Sequence, residues 1–166
     1  MEEKTLKALH WIVGILNKNN ISYRIGGGFA AHIYGSERPL NDIDISLPGK
    51  YFPIIIPEVT EYITAELKHY SDEKWDCDGF SLDYLGQEID VTDVDTLRMS
   101  NKEQTEWFQT KDNFRMFPSL LINVDGIDVS LIDPRDLIAY KKHLVDRDYQ
   151  LIDIAAVQKY ITNHNL

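Results

Sequence analysis

Long apolar runs are missing from this chain: charged residues interrupt every hydrophobic stretch well before the ~20 residues that a bilayer-spanning helix requires. No membrane span is therefore expected. Met1-Glu2-Glu3-Lys4 also lacks the basic-then-apolar pattern of a secretory signal, so a cytoplasmic protein is expected. Cysteine occurs once, at Cys77, which excludes an internal disulfide and, with no histidine beside it, points to a structural thiol. His10, His32, His69, His143 and His164 show no H-x-x-x-H spacing, which argues against zinc. There is no G-x-x-x-x-G-K-[ST] loop, which argues against an ordinary P-loop NTPase, and no repeat, low-complexity tract or linker breaks the chain. Positive charge is scarce as well. Lys and Arg total 17 against 27 Asp and Glu, and the net charge of -10 repels a phosphate backbone, which argues against extended nucleic acid as a partner. The acidic balance suits a cationic acceptor such as an amino-sugar, although solubility alone accounts for it in many proteins.

What is present is the composition of a globular domain, 166 residues long with 43% hydrophobic content, enough to bury a core as one unit spanning 1–166. Leu6, Leu9, Ile12, Val13 and Leu16 recur at helical spacing and predict a first amphipathic helix. Ile21 to Ile25 reads as a short strand, Phe29 to Tyr34 as a helix, and Gly35 as its stop. Asp42 to Leu47 alternates acidic or polar with apolar residues, as a strand does when one side lies on the core. Between Pro53 and Tyr62 a helix is predicted to begin near Pro57. Phe80–Leu85 and Glu88–Thr92 flank a Gly86-Gln87 turn, and Leu120–Val124 and Ile127–Ile132 flank Asp125-Gly126, so two hairpins are expected. Asp133 caps a helix that opens with Pro134 and Asp136, and Leu151, Ile154, Ala155, Val157 and Ile161 supply the apolar face of a last one, before a polar 162–165 tail. The pattern predicts a mixed α/β or α+β domain, with helices over 134–163 packing on the core.

Two devices for polyanion and metal lie close together. Gly26-Gly27-Gly28 lets backbone N–H groups approach phosphate oxygens at the start of a helix. After thirteen intervening residues Asp42 and Asp44, at i and i+2 of a strand, point to one face and can hold hard cations such as Mg²⁺. A third carboxylate is expected on a neighbouring strand. Asp90, in Ile89-Asp90-Val91, is preferred, with Asp128 in Ile127-Asp128-Val129 as the competitor.

A glycine turn, a short helix, an Asp-hydrophobic-Asp strand and a later hydrophobic-Asp-hydrophobic strand together resemble the nucleotidyltransferase superfamily with the polymerase-beta-type fold. The chain is most similar to its small bacterial single-domain members, such as lincosamide nucleotidyltransferases and nucleotidyltransferase-type toxins. Arg38 stands four residues before Asp42, where such members often carry arginine, although Leu40 replaces their usual serine or threonine. The stretch from Asp136 to Lys141, with Asp153-Ile154 beyond, resembles their C-terminal helical segment. The resemblance implies a mostly antiparallel mixed sheet flanked by helices, and two-metal transfer of a nucleoside monophosphate from an NTP to an acceptor hydroxyl on a small molecule, an RNA end or a protein. Asp42, Asp44 and Asp90 would be catalytic and bind Mg²⁺. Gly27, Gly28, Arg38 and Lys141 would hold the nucleotide, with Lys142 as the alternative to Lys141, and Asp153 would orient a basic residue. The alternative is a catalytically inactive protein of this fold that works as a binding or regulatory partner, for instance in a toxin and antitoxin pair. The nucleotide preferred, the acceptor and the oligomeric state are not legible.

Overall fold

The computed structural model of the chain describes residues 1–144 and 148–166. In chain order the elements are α1 (Glu3–Lys18), β1 (Arg24–Ile25), α2 (Gly27–Ile33), β2 (Asp42–Leu47), α3 (Phe52–Val59), β3 (Ile63–Ser71), β4 (Trp75–Tyr84) and β5 (Gln87–Asp93). They continue with β6 (Arg98–Ser100), β7 (Trp107–Gln109), α4 (Thr110–Asn113), β8 (Leu120–Val124), β9 (Ile127–Leu131), α5 (Pro134–His143) and α6 (Asp148–His164). The described strands form one sheet in the order β7-β6-β4-β5-β2-β1-β9-β8, with β3 paired to β4. Pairings are antiparallel except β2 with β5 and β1 with β9. This is the α+β class expected.

Alternation along β2 decides which way the sheet faces. Ile43, Ile45 and Leu47 are buried, while Asp42, Asp44 and Ser46 stand on the opposite, partly open side. The apolar side continues through Ile25, Phe80, Leu82, Ile89 and Val91 and meets Leu9, Ile12, Val13 and Leu16 of α1 with Phe29 and Ala30 of α2. Reversing the register of β2 by one residue would put three carboxyl or hydroxyl groups into that core, so the hydrophobic pattern fixes where the aspartates point. No helix among the described residues is long and apolar enough to cross a membrane.

Several boundaries differ from the sequence reading. Of residues 21–25 only Arg24 and Ile25 pair as strand. The helix expected to begin near Pro57 begins at Phe52, with Pro53 in its first turn, where a missing N–H costs nothing, and Pro57 lies inside it. The first hairpin turns at Leu85-Gly86, both at positive φ (56° and 83°), and not at Gly86-Gln87. Two left-handed central residues make the turn whose twist matches paired strands. Gln87 belongs to β5, 1% exposed, because its amide has buried partners: the Thr5 hydroxyl donates to Oε1 at 2.6 Å and Nε2 donates to Asn41 O at 3.0 Å. The second hairpin turns at Asp125-Gly126 as expected, again with both φ positive. Asp133 caps α5 as expected, accepting from Arg135 N at 2.9 Å. Leu151 lies on the outer side of α6, 53% exposed; Gln150, Asp153 and Val157 face inward, and the helix runs on through the polar tail to His164.

Candidate active site

Asp44 and Asp90 are directly paired across the parallel β2–β5 ladder, and Asp42 sits one side-chain step along the same face, opposite Glu88. One carboxylate oxygen from each of Asp42, Asp44 and Asp90 lies within 4.8 Å of the others. Ser81, opposite Asp90 on β4, donates its hydroxyl to Asp90 Oδ1 at 2.5 Å. Like charges at this range raise the cost of ionisation. Burial first, then the charges of Asp42 and Asp90, push the Asp44 carboxyl up to about 7, against an ordinary 3.8, and Lys141 only partly offsets them. Asp42 is raised too, by burial and then Asp90. Asp128 is elsewhere: it is exposed on β9 and accepts from Asn123 Nδ2 at 3.0 Å.

The glycine turn abuts these carboxylates. Gly26 N–H donates to Asp44 O at 3.0 Å, and Gly27 has φ +58° with the Asp44 carboxylate occupying the space a Cβ would need. In the first turn of α2 the N–H groups of Gly27 and Gly28 have no intrahelical acceptor. Gly27→Ala is expected to destabilise the protein by about 1–3 kcal/mol, through both its backbone angle and that overlap. Gly14→Ala is expected to do the opposite, by about 0.5–1 kcal/mol, because Gly14 is exposed within α1 and a Cβ there meets nothing. Urea midpoints of the two variants check the contrast.

Beyond Gly28 stands a basic wall organised by one acid. The Arg38 guanidinium packs over Gly28, where a Cβ would come within 2.6 Å of Nη2. Its Nε and Nη2 donate to the Asp153 carboxylate at 3.0–3.2 Å, and the ring of Tyr149 lies 4.8 Å from Cζ. Lys141 Nζ lies 2.8 Å from Asp153 Oδ2 and donates to Gln150 Oε1 at 3.1 Å. The Ser36 hydroxyl adds a 2.6 Å bond to the same carboxylate. Burial alone would push Asp153 up, but the hydrogen bonds from Arg38, Lys141 and Ser36 outweigh it and hold the carboxyl below its usual range. Lys141 faces inward, 3% exposed, whereas Lys142 is exposed.

Two cavities meet at Gly27, Asp44, Trp75 and Tyr140. One, of about 580 Å³, holds Gly28, Arg38, Asp42 and Lys141; the other, of about 420 Å³, holds Asp90, Ser81 and the aromatic residues Tyr70 and Phe114. The structure thus brings together all seven residues named from sequence, Gly27, Gly28, Arg38, Asp42, Asp44, Asp90 and Lys141. Ser81 and Tyr140 were not foreseen. The turn expected at Gly86-Gln87 sets position 83 opposite Asp90, and only the observed turn at Leu85-Gly86 brings Ser81 there; the aromatic ring of Tyr140 carries no sequence signal.

No protein-family model matches the sequence, and no curated protein matches it. Solved structures do. A Thermotoga maritima protein designated a nucleotidyltransferase superposes with a TM-score of 0.68 at 15% identity, over 99% of this chain and 96% of its own. The lincosamide antibiotic adenylyltransferase LnuA, in its lincomycin-bound form, gives 0.64 at 13% identity, over 93% and 96%. The antibiotic-resistance factor ANT(2'')-Ia gives 0.62 at 16% identity, over 99% and 86%. At such identities likeness extends to the backbone, and its breadth over both partners leaves one conclusion: this chain has the nucleotidyltransferase fold.

Proposed function

We propose that the protein is a Mg²⁺-dependent nucleotidyltransferase, moving a nucleoside monophosphate from an NTP to an acceptor hydroxyl, and that the whole of 1–166 works as one unit. The observation that carries this reading is the meeting of three carboxylates beside a glycine that has no room for a side chain. Hard, anionic oxygens converging from a rigid sheet suit Mg²⁺, and the Asp44 carboxyl, raised first by burial and then by Asp42 and Asp90, belongs to a cluster that a bound cation would relieve. Bound divalent ions would polarise the phosphoryl oxygens and make the acceptor hydroxyl more acidic.

The chain's own groups account for the remaining steps. N–H groups of Gly27 and Gly28 receive the terminal phosphate oxygens, and Arg38 and Lys141 supply positive charge beside them. Because Asp153 neutralises one of those two cations, the wall attracts phosphate with a net charge near one. The acceptor oxygen forms a bond to the α-phosphorus, the bond from that phosphorus to the bridging oxygen breaks, and pyrophosphate leaves. Asp90 takes the acceptor proton on Oδ2, since Oδ1 is engaged by Ser81.

Incubation with α-labelled and, separately, γ-labelled NTPs, Mg²⁺ and hydroxyl acceptors tests the reading. Label should move to the acceptor from the α position alone. Transfer of γ label would indicate a kinase, and Mg²⁺-dependent NTP binding without transfer would favour a regulatory role, so either overturns the proposal.

A further inference from the structure

The 420 Å³ cavity carries a charge that the nucleotide site does not use. Arg24 pairs with Ser46, so its side chain rises from the aspartate side of the sheet, about 7 Å further along from Asp44. The residue is 8% exposed and lines the cavity. Among the described residues its guanidinium makes one hydrogen bond, from Nη1 to Phe114 O at 3.0 Å, and no ion pair within 4.0 Å. The acid that offsets it from further off, Asp136, spends its oxygens on the N–H groups of Met116 and Phe117 at 3.1 and 3.0 Å. Burial first, then the neighbouring positive charge of Arg115, bring the Arg24 guanidinium down to about 10. A buried cation without a carboxylate partner is costly and is stabilised by any anion that reaches it.

The same cavity is lined by the aromatic residues Tyr70, Trp75, Phe114 and Tyr140. We propose that this cavity binds the acceptor and that the acceptor is a small hydroxycarboxylic acid, its carboxylate on Arg24, its apolar body against the aromatic walls and its hydroxyl at Asp90. A carboxylate matches the fork of a planar guanidinium with open donors. The excess of acid over base in the chain, with Asp44, Glu88 and Asp90 in the same cavity, favours cationic ligands at longer range, where water and salt screen it, whereas the contact at Arg24 is short and largely desolvated. The position of the reacting hydroxyl rests on the nucleotidyl-transfer reading; the anion contact does not.

Three probes of one skeleton separate the two: 4-(hydroxymethyl)benzoate, its primary amide, and 4-(hydroxymethyl)benzylamine. Calorimetric titration without nucleotide is expected to show the carboxylate binding at least about tenfold tighter than the amide, with the amine weakest. Arg24→Gln should abolish the carboxylate's advantage over the amide, and Arg24→Lys should restore part of it. With α-labelled NTP and Mg²⁺ the same order should appear in KM rather than kcat. Amine preferred over carboxylate, no binding of the carboxylate, or a carboxylate advantage that survives Arg24→Gln each overturns the proposal. So does an Arg24→Gln protein whose ATP affinity falls as much as its carboxylate affinity, since Arg24 would then serve the nucleotide. Arg24-dependent carboxylate binding with no label transfer would leave the cavity's assignment standing and sink the nucleotidyl-transfer reading instead.

Discussion

Asp44→Asn is expected to lower nucleotidyl transfer by on the order of a thousandfold or more, while making the metal-free protein more stable at pH 8. The two effects have one cause. In the fold the Asp44 carboxyl is pushed to about 7, against an ordinary 3.8, by burial and by Asp42 and Asp90. Between those values the folded chain holds more protons than the unfolded one, so metal-free stability falls as pH rises from about 4 to about 7. The Asp44 shift alone corresponds to a fall of about 4 kcal/mol, and Asp42, which shifts the same way, steepens it. Asparagine removes the charge and flattens the slope. On the proposed reading Mg²⁺ binds the ionised cluster, so its stabilising effect on the wild-type protein should grow over the same range. Denaturant midpoints from pH 4.5 to 8.5, in EDTA and in Mg²⁺, read all of this together with the turnover assay. Wild-type turnover in the Asp44→Asn protein, or a flat metal-free profile, would remove the site from consideration.

The second large effect belongs to Asp153. Its carboxylate, with a side chain 1% exposed, receives Arg38, Lys141 and Ser36 at once. Asp153→Ala leaves the Lys141 ammonium, 4% exposed, with Gln150 as its remaining hydrogen-bond partner in the described residues, and leaves Arg38 free to leave Gly28. Stranding a buried charge typically costs about 3–5 kcal/mol. The urea midpoint should drop accordingly, and KM for the nucleotide should rise. Asp153→Ala combined with Lys141→Met should recover much of the lost stability, since the stranded charge goes with it, but not the nucleotide affinity. A single variant as stable as wild type would show that the wall does not depend on its central acid.

Much of the arrangement was legible because β2 has one wet face and one dry one, and the strand writes that difference into every second residue. The glycine run and the Asp125-Gly126 turn were legible for the same reason, that special backbone angles restrict residue choice. β3 was missed because it pairs only with β4 and is mostly open to water, so Ile63–Ser71 carries no alternation. Three-residue strands such as β6 and β7 are too short to show a period. The shift of the first hairpin by one position has a subtler origin. Leu85 takes φ 56°, which local preference disfavours, because the long-range bonds of Gln87 to Thr5 and Asn41 hold that residue in the strand. Burial of Lys141 rather than Lys142 could be decided only by the acid that receives it on another helix.

The side-by-side, same-direction pairing of β2 and β5 has a consequence for how the molecule comes into being. Asp44 and Asp90 are separated along the chain by α3 and the whole β3–β4 ribbon, so no local fragment brings them together. Loop-closure entropy puts such a contact late in assembly, after the ribbon has formed. If the three carboxylates hold a divalent cation as proposed, a nascent or partly unfolded chain lacks that site, and a cation bound there holds the centre of the sheet shut rather than one loop. Slowed amide exchange in Ile43–Ile45 and Ile89–Val91 on addition of Mg²⁺ would be its signature.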